Sequence, residues 1–264
     1  MPLTGNALKN LRKLGNKKFR DQQDRFLIEG VRLLQEAVES DFEILEAYCT
    51  EEFLRDPAAE PLVQKLKKKA RTLEQASARS LAAISDTVSP QGVVAVLARR
   101  KVDAVKLLKS TEAESIVVAL DSVTDPGNLG SIVRTCDWFG VNGVLIGEKS
   151  VDLYNPKVIR ATMGGLFHLA IAENVNLPSA LSRAREQGYS VYVTDLKGEA
   201  HFDQLHYARK SVLVFGNEAW GVSDDLKALA DTRIAIRRYG AAESLNVGVA
   251  CGVVLSALHR LTNE

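Results

Sequence analysis

Short apolar runs alternate with amphipathic stretches along most of the chain, and that alternation predicts an α/β protein. In the first half a basic helix over about 4–18 leads into the strand FLIEG and then the helical stretch VRLLQEAVES. ILEAYCT reads as a strand, residues 60–70 as a charged helix, RTLEQA as a short strand, 78–85 as a helix and GVVAVLA as a strand. The pattern stops near Arg99. The polar stretch 101–114 that follows, partly helical, reads as a linker between a small α/β domain over 1–100 and a second domain over 115–264.

From Ser115 the alternation is stronger. SIVVAL, GVLIG, LAIAEN, SVYVTDL, SVLVFG and TRIAIR are predicted strands, with helices near 128–139, 155–164, 178–187, 223–230 and 246–261. Strands that are apolar throughout, rather than on alternate residues, are buried on both faces, which implies a mostly parallel sheet covered by helices. Ligands of such sheets bind at the carboxyl edge, so the turns that end these strands are where chemistry is expected.

Composition changes this picture little. The 264 residues are 46% hydrophobic and 25% charged with a formal net charge of +1, the profile of a globular protein with no run long enough to span a membrane. The basic N-terminus lacks the apolar core of a secretory signal. Three cysteines, Cys49, Cys136 and Cys251, are far apart in sequence and odd in number, which argues against a disulfide framework or a zinc site and favours the cytoplasm. Local charge is uneven. Residues 1–25 hold seven cations against two acids, and further basic clusters lie at 65–71 and 99–101. Each cluster reads either as a solvated helix face or as a surface for a polyanion; three in one half of the chain tilt the reading toward nucleic acid.

No dinucleotide glycine fingerprint, phosphate-binding P-loop, HExxH or CxxC metal pattern, or GxSxG nucleophile elbow is present. Three strand-end segments remain. In the first, VVALDSVTDPGNLGSIVRTCDWFG (117–140), a helical projection puts Leu129, Ile132, Val133, Cys136 and Phe139 on one face and Arg134 opposite them. By periodicity alone Arg134 is a solvated arginine, and Asn128, just ahead of the helix, is an N-cap. In the second, VLVFGNEAWGVS (212–223), Gly216 permits close backbone approach and Ser223 is placed to cap the next helix. Glu218 is there either solvated or ligand-binding, and Trp220 is core, interface or stacking platform. In the third, 233–258, Ser244 and Asn246 bracket the start of an apolar helix thinned by Gly248, Ala250 and Gly252.

N-x5-R in the first segment, FGNE-x2-G-x-S in the second and SLNV-x-VA in the third resemble, in order and placement, the three motifs of the SpoU/TrmH class of SPOUT RNA methyltransferases. More loosely, KFRDQQDRFLIEGVRLLQEAV resembles the L30e-like RNA-binding domain that many ribosomal-RNA members carry. The resemblance implies a trefoil-knotted α/β domain that binds S-adenosylmethionine (AdoMet), needs no metal and forms a homodimer. It implies transfer of methyl to a ribose 2′-hydroxyl of RNA, ribosomal in preference to transfer RNA. Arg134, Asn128, Glu218, Ser244 and Asn246 match the family's catalytic positions. Gly216, Ile236, Leu245, Ser244 and Asn246 would hold the cofactor, largely through backbone, with Thr194 at an earlier strand end. The chain departs from the family where Pro and often Met give way to Ala235 and Ile236, followed by Arg237 and Arg238, and where Gly248 replaces Ser. The competing readings are a transfer-RNA methyltransferase and a non-catalytic RNA-binding or assembly factor.

Overall fold

The computed structural model describes residues 3–87 and 89–262, with side chains described to residue 258. Contacts divide the chain into two compact units, Met1–Arg100 with Tyr154–Phe167, and Lys101–Leu153 with His168–Glu264.

The first unit is built on strands β1 (Arg25–Glu29), β2 (Ile44–Cys49), β3 (Ala70–Gln75) and β4 (Val93–Ala98), in the order β1-β4-β2-β3. The central β4 runs antiparallel to β1 and β2, while β2 and β3 are parallel. Val94, Ala95, Val96 and Leu97 are fully buried, as a strand covered on both faces requires. The single N-terminal helix read from the pattern is two, Gly5–Lys13 and Lys17–Gln23. The break falls at Gly15 and Asn16, where the Asn16 side chain accepts from the Lys18 amide and starts a new helix. A short helix Glu51–Arg55, capped by Thr50, had no periodic signal because it is only five residues long.

Helix Pro156–Thr162, which the pattern assigns to the second alternation, packs in the first unit. Aromatic anchors at either side of it decide this. The Tyr154 ring lies 4.5 Å from Phe26 and its hydroxyl bonds the Arg100 backbone at both N–H (3.0 Å) and carbonyl (3.1 Å). Phe167 meets Phe42 edge-on at 5.2 Å. Between them Arg160 reaches Glu29 at 3.4 Å. Periodicity shows that a helix exists but not which core its aromatic flanks will join.

The second unit has strands β5 (Ser115–Leu120), β6 (Gly143–Gly147), β7 (Ile171–Val175), β8 (Ser190–Thr194), β9 (Ala200–His201), β10 (Lys210–Phe215) and β11 (Thr232–Ala235). Their order is β7-β6-β5-β10-β8-β11-β9, every neighbouring pair parallel. The largely parallel α/β sheet expected from the continuous apolar runs is therefore present; Val117 to Leu120 and Val212 to Phe215 are solvent-free. Only the two-residue β9 escaped the pattern, being too short to carry a period. Inside the polar 101–114 stretch, helix Ala104–Leu108 belongs to this unit. Leu108 is buried, and Leu107 fills the space that a side chain at Gly143 would need.

Two close packings shape the sheet's carboxyl side. A β-carbon at Gly198 would lie 2.7 Å from the Ile234 carbonyl carbon, and one at Gly216 would overlap the Gly221–Val222 backbone. The last helix, Val247–Thr262, packs along helix Pro126–Trp138; a β-carbon added at Gly248 or at Gly252 would lie 3.6 Å from the Ser131 side chain or 3.7 Å from that of Thr135. Close helix approach is what the small residues predicted. Cys136 and Cys251, far apart in sequence, meet in this interface. Burial, then a hydrogen bond with Cys251, pushes the Cys136 thiol well up; burial alone pushes Cys49 to about 11.

Raised pKa values keep thiols in the unreactive protonated form. At mildly alkaline pH the native protein should react only slowly with a thiol reagent and take up three equivalents once unfolded in guanidinium; fast native labelling would contradict this burial. Gly198→Ala, which forces backbone apart, should lower stability by roughly 1–3 kcal/mol in urea titration.

Candidate functional site

In a parallel sheet all strands end on one side. The carboxyl ends of β5, β10, β8 and β11 are consecutive neighbours there. The three motif segments follow β5, β10 and β11, and Thr194 closes β8 between the latter two. Residues spread over more than a hundred positions are thus lined up along four adjacent strand ends.

The first turn is held by its own polar groups. Asp121 continues the β5–β10 pairing through its N–H to the Phe215 carbonyl (2.8 Å), and its carboxylate accepts from the Ser223 amide (2.8 Å). Ser122 sits in the left-handed region at φ 58°, a conformation that costs a non-glycine residue on the order of 1 kcal/mol and is held only by its surroundings. The helix then begins earlier than expected. Pro126 occupies its first turn and Asp125 is the N-cap, its carboxylate accepting from the Asn128 amide at 2.8 Å. Asn128 is therefore not the cap. It lies inside the first turn, and its side chain is free for other partners. The Asp-Pro pair was the legible sign of this start.

The second segment is a tight hairpin in which Asn217 and Gly221 exchange backbone hydrogen bonds at 3.0 and 2.9 Å, with Gly221 at φ 74°. Gly216 is needed by this fold-back, since the chain's own backbone fills the space of its missing side chain. Asn217 is buried; its amide donates to the Ser122 carbonyl (2.8 Å) and its carbonyl oxygen accepts from Ala219 (2.8 Å), so the second motif pins the first. Sequence reasoning did not single it out, because a buried asparagine in a turn looks like any turn asparagine. Ser223 stands at the N-cap of helix Asp224–Lys227 without a side-chain cap bond; its backbone is used instead, by Asp121. Trp220 is 64% exposed and so is not part of this chain's core.

The third segment completes a chain of side-chain hydrogen bonds. Asn246 caps the last helix, its Oδ1 accepting from the Gly248 and Val249 amides at 2.9 and 3.3 Å. That leaves its Nδ2 to donate to Asn128 Oδ1 at 2.8 Å, and Asn128 Nδ2 in turn donates to the Glu218 carboxylate in a short contact. One residue from each motif is joined: Asn246 to Asn128 to Glu218. Arg134, on the outer face of the same helix, is exposed and has no hydrogen bond or ion pair among the described residues. Ser244 is likewise exposed beside this network rather than bonded into it.

Of the expected cofactor residues, Gly216 and Thr194 lie at the ends of adjacent strands; the Thr194 hydroxyl donates to the Val214 carbonyl at 2.9 Å. Ile236 is half-buried at the start of the third loop and Leu245 is exposed at its end. Between them the backbone amides of residues 237–245 donate no hydrogen bond among the described residues. No group of three or more His, Cys, Asp or Glu able to hold a metal occurs among the described residues.

Truncating Asn217 removes the donor from the buried Ser122 carbonyl. Asn217→Ala should cost roughly 1–3 kcal/mol by denaturant titration, with Asn217→Asp no better, since it removes the donor too.

The SpoU rRNA Methylase family matches residues 115–256 and the MRM3-like substrate binding domain matches residues 6–95. A 23S rRNA (guanosine(2553)-2′-O)-methyltransferase, RlmP of Bacillus subtilis, is 32% identical over 248 residues, covering 94% of each chain. Among solved structures, the AdoMet-bound rRNA methyltransferase from Sinorhizobium meliloti superposes with a TM-score of 0.88 at 29% identity, over 98% of this chain and 96% of that one. The SpoU methyltransferase AviRb from Streptomyces viridochromogenes, in complex with AdoMet, does so at 0.88 and 25% identity over 99% of both chains. With its motif residues gathered at one sheet edge and both regions matched, the chain belongs to the SpoU rRNA methylase family.

Proposed function

We propose that this protein is an AdoMet-dependent methyltransferase that methylates a ribose 2′-hydroxyl in large-subunit ribosomal RNA. The observation that carries the reading is the joining of Asn246, Asn128 and Glu218 across three motifs beside an unpaired Arg134. A binding scaffold would have no need to hold these polar groups in one fixed direction. Similarity to ribosomal-RNA enzymes over nearly the full length, front region included, favours ribosomal over transfer RNA. In this reading 1–100, joined in its compact unit by 154–167, docks the RNA, and 115–264 catalyses, with 101–114 joining the two while its helix packs on the second unit.

The third loop suits the cofactor. The amides of residues 240 to 245, which donate no hydrogen bond among the described residues, can receive a purine's ring nitrogens, and the exposed Leu245 offers apolar contact. Gly216, Ile236, Leu245, Ser244, Asn246 and Thr194 are the residues that would hold it. AdoMet, when bound, supplies an electrophilic methyl group on sulfur. The chain's task is then to present the ribose oxygen in line and manage its proton. A guanidinium keeps its protons to very high pH, so Arg134 is a poor free base. It instead donates to the adjacent phosphate and to the 2′-oxygen as negative charge grows there, with the hydroxyl proton passing to solvent water as the oxygen takes the methyl group from sulfur. Asn128, held by Asn246, and Glu218 orient the ribose and Arg134.

The catalytic domain is further read as a trefoil knot that works as a homodimer. The close backbone crossings at Gly198 and Gly216 favour the first. Trp138, 84% exposed on the helix that carries Arg134, favours a partner surface. Buried free thiols and a ribosomal substrate favour the cytoplasm.

Three measurements test this. Mapping of 2′-O-methyl sites in ribosomal and transfer RNA, with and without the protein, should reveal one ribosomal site that depends on it. Arg134→Ala should lower the rate by on the order of 100-fold or more, while calorimetry shows AdoMet binding retained. Glu218→Gln should reduce kcat with the fold intact. Full activity of Arg134→Ala would falsify its assignment, and absence of AdoMet binding by the wild-type protein would favour a scaffold.

A further inference from the structure

Just past the end of β11, the third loop carries three consecutive side chains that the site described above does not use. Arg237, Arg238 and Tyr239 are all exposed, Tyr239 at 88%, and among the described residues none makes a hydrogen bond, ion pair or ring contact. Two nearby arginines of this unit, by contrast, are tied down. Arg233, four residues earlier, is held by Glu199 at 2.7 Å, and Arg185 by Asp231 at 2.9 Å. A large aromatic and two cations left without intramolecular partners, side by side, mark a surface made for something else.

The topology puts them beside the reaction. The loop leaves β11, three strands away from β5 in the order β5-β10-β8-β11, and returns at Asn246, which bonds Asn128 on the β5 side. It therefore travels along the carboxyl edge over about 14 Å, three inter-strand spacings of ~4.8 Å. A polynucleotide held at Asn128 and Arg134 needs to extend only that far along the same edge to meet the start of this loop.

We propose that Arg237, Arg238 and Tyr239 form an RNA-holding arm. The two guanidinium groups grip phosphates flanking the target nucleotide, and the Tyr239 ring stacks on an unpaired base next to it. The inference rests on the methyltransferase reading. A ribose brought in line with a methyl donor has to be drawn out of regular stacking, which leaves neighbouring bases with bare π faces. An exposed ring meets such a face without regard to base identity. Planar guanidinium forks match phosphate oxygens in pairs. The three are positioning residues: they hold the substrate and leave the methyl transfer itself to the Arg134 site.

The test compares wild type with the double variant Arg237→Ala/Arg238→Ala and with Tyr239→Ala and Tyr239→Phe. Steady-state methylation of ribosomal RNA, RNA affinity against salt, and AdoMet calorimetry are measured for each. The double variant should raise KM for RNA with kcat and AdoMet affinity unchanged. It should also flatten the log–log salt dependence by about 1.4, the loss of two single-strand phosphate contacts at ~0.7 each. Tyr239→Ala should weaken RNA binding on the order of tenfold, and Tyr239→Phe should restore it. Unchanged KM and salt slope in an active protein overturn the arm. So does a drop in AdoMet affinity, which would make these residues part of the cofactor site. If wild type methylates no RNA, the enzymatic reading fails, while RNA affinity and salt slope still decide whether the arm binds RNA.

Discussion

The hydrogen bonds from Asn246 to Asn128 to Glu218 are the constraint on which the site depends. An asparagine side chain can point either way, but here one end has no choice. Two helix N–H groups need an acceptor, so Asn246 turns its oxygen to them and its amide toward Asn128. Asn128 must then turn its own oxygen to Asn246 and its amide to the carboxylate. Each link polarises the next, and the direction is set by a helix end that must be capped for the fold's sake. A structural requirement at the last helix thus orients a carboxylate two hydrogen bonds away.

That network holds only if three loops stay where the strands leave them, and backbone crowding keeps them there. Gly216 folds against Gly221 and Val222, Gly198 against the β11 backbone, and Asn217 ties the second loop to the Ser122 carbonyl of the first. Ser122 in its left-handed conformation is the strained partner in this arrangement. Strain of this size persists where neighbours over-determine a residue, and here the neighbours are the two turns that carry the motif residues. Ser122 and Asn217 are buried in this packing, while Arg134 and residues 237–245 are left exposed.

Much of this was legible in the linear pattern. Continuous apolar runs such as Val117 to Leu120 state that a strand is buried on both faces, because there is no polar side to turn outward. Spacing put Arg134 opposite the buried face of its helix, and it is indeed exposed. Other local readings failed for local reasons. Asn128 looked like a cap until Asp125 and Pro126 took the helix start, and Ser223 occupies a cap position whose hydroxyl caps nothing. Helix Pro156–Thr162 showed its period plainly but not its allegiance to the first unit, which Tyr154 and Phe167 decide.

By itself the sequence determined most of the strands and helices, that the second sheet is parallel, and which residue types stand at its strand ends. These follow from short-range periodicity, which any stretch carries within itself. Only the tertiary structure decided that Asn246, Asn128 and Glu218 bond one another, that Asn217 locks one loop to the next, and that Cys136 faces Cys251. Those facts depend on the strand order β5-β10-β8-β11. Strand order is set by which buried surfaces fit together across the whole chain, and no window of residues contains that information.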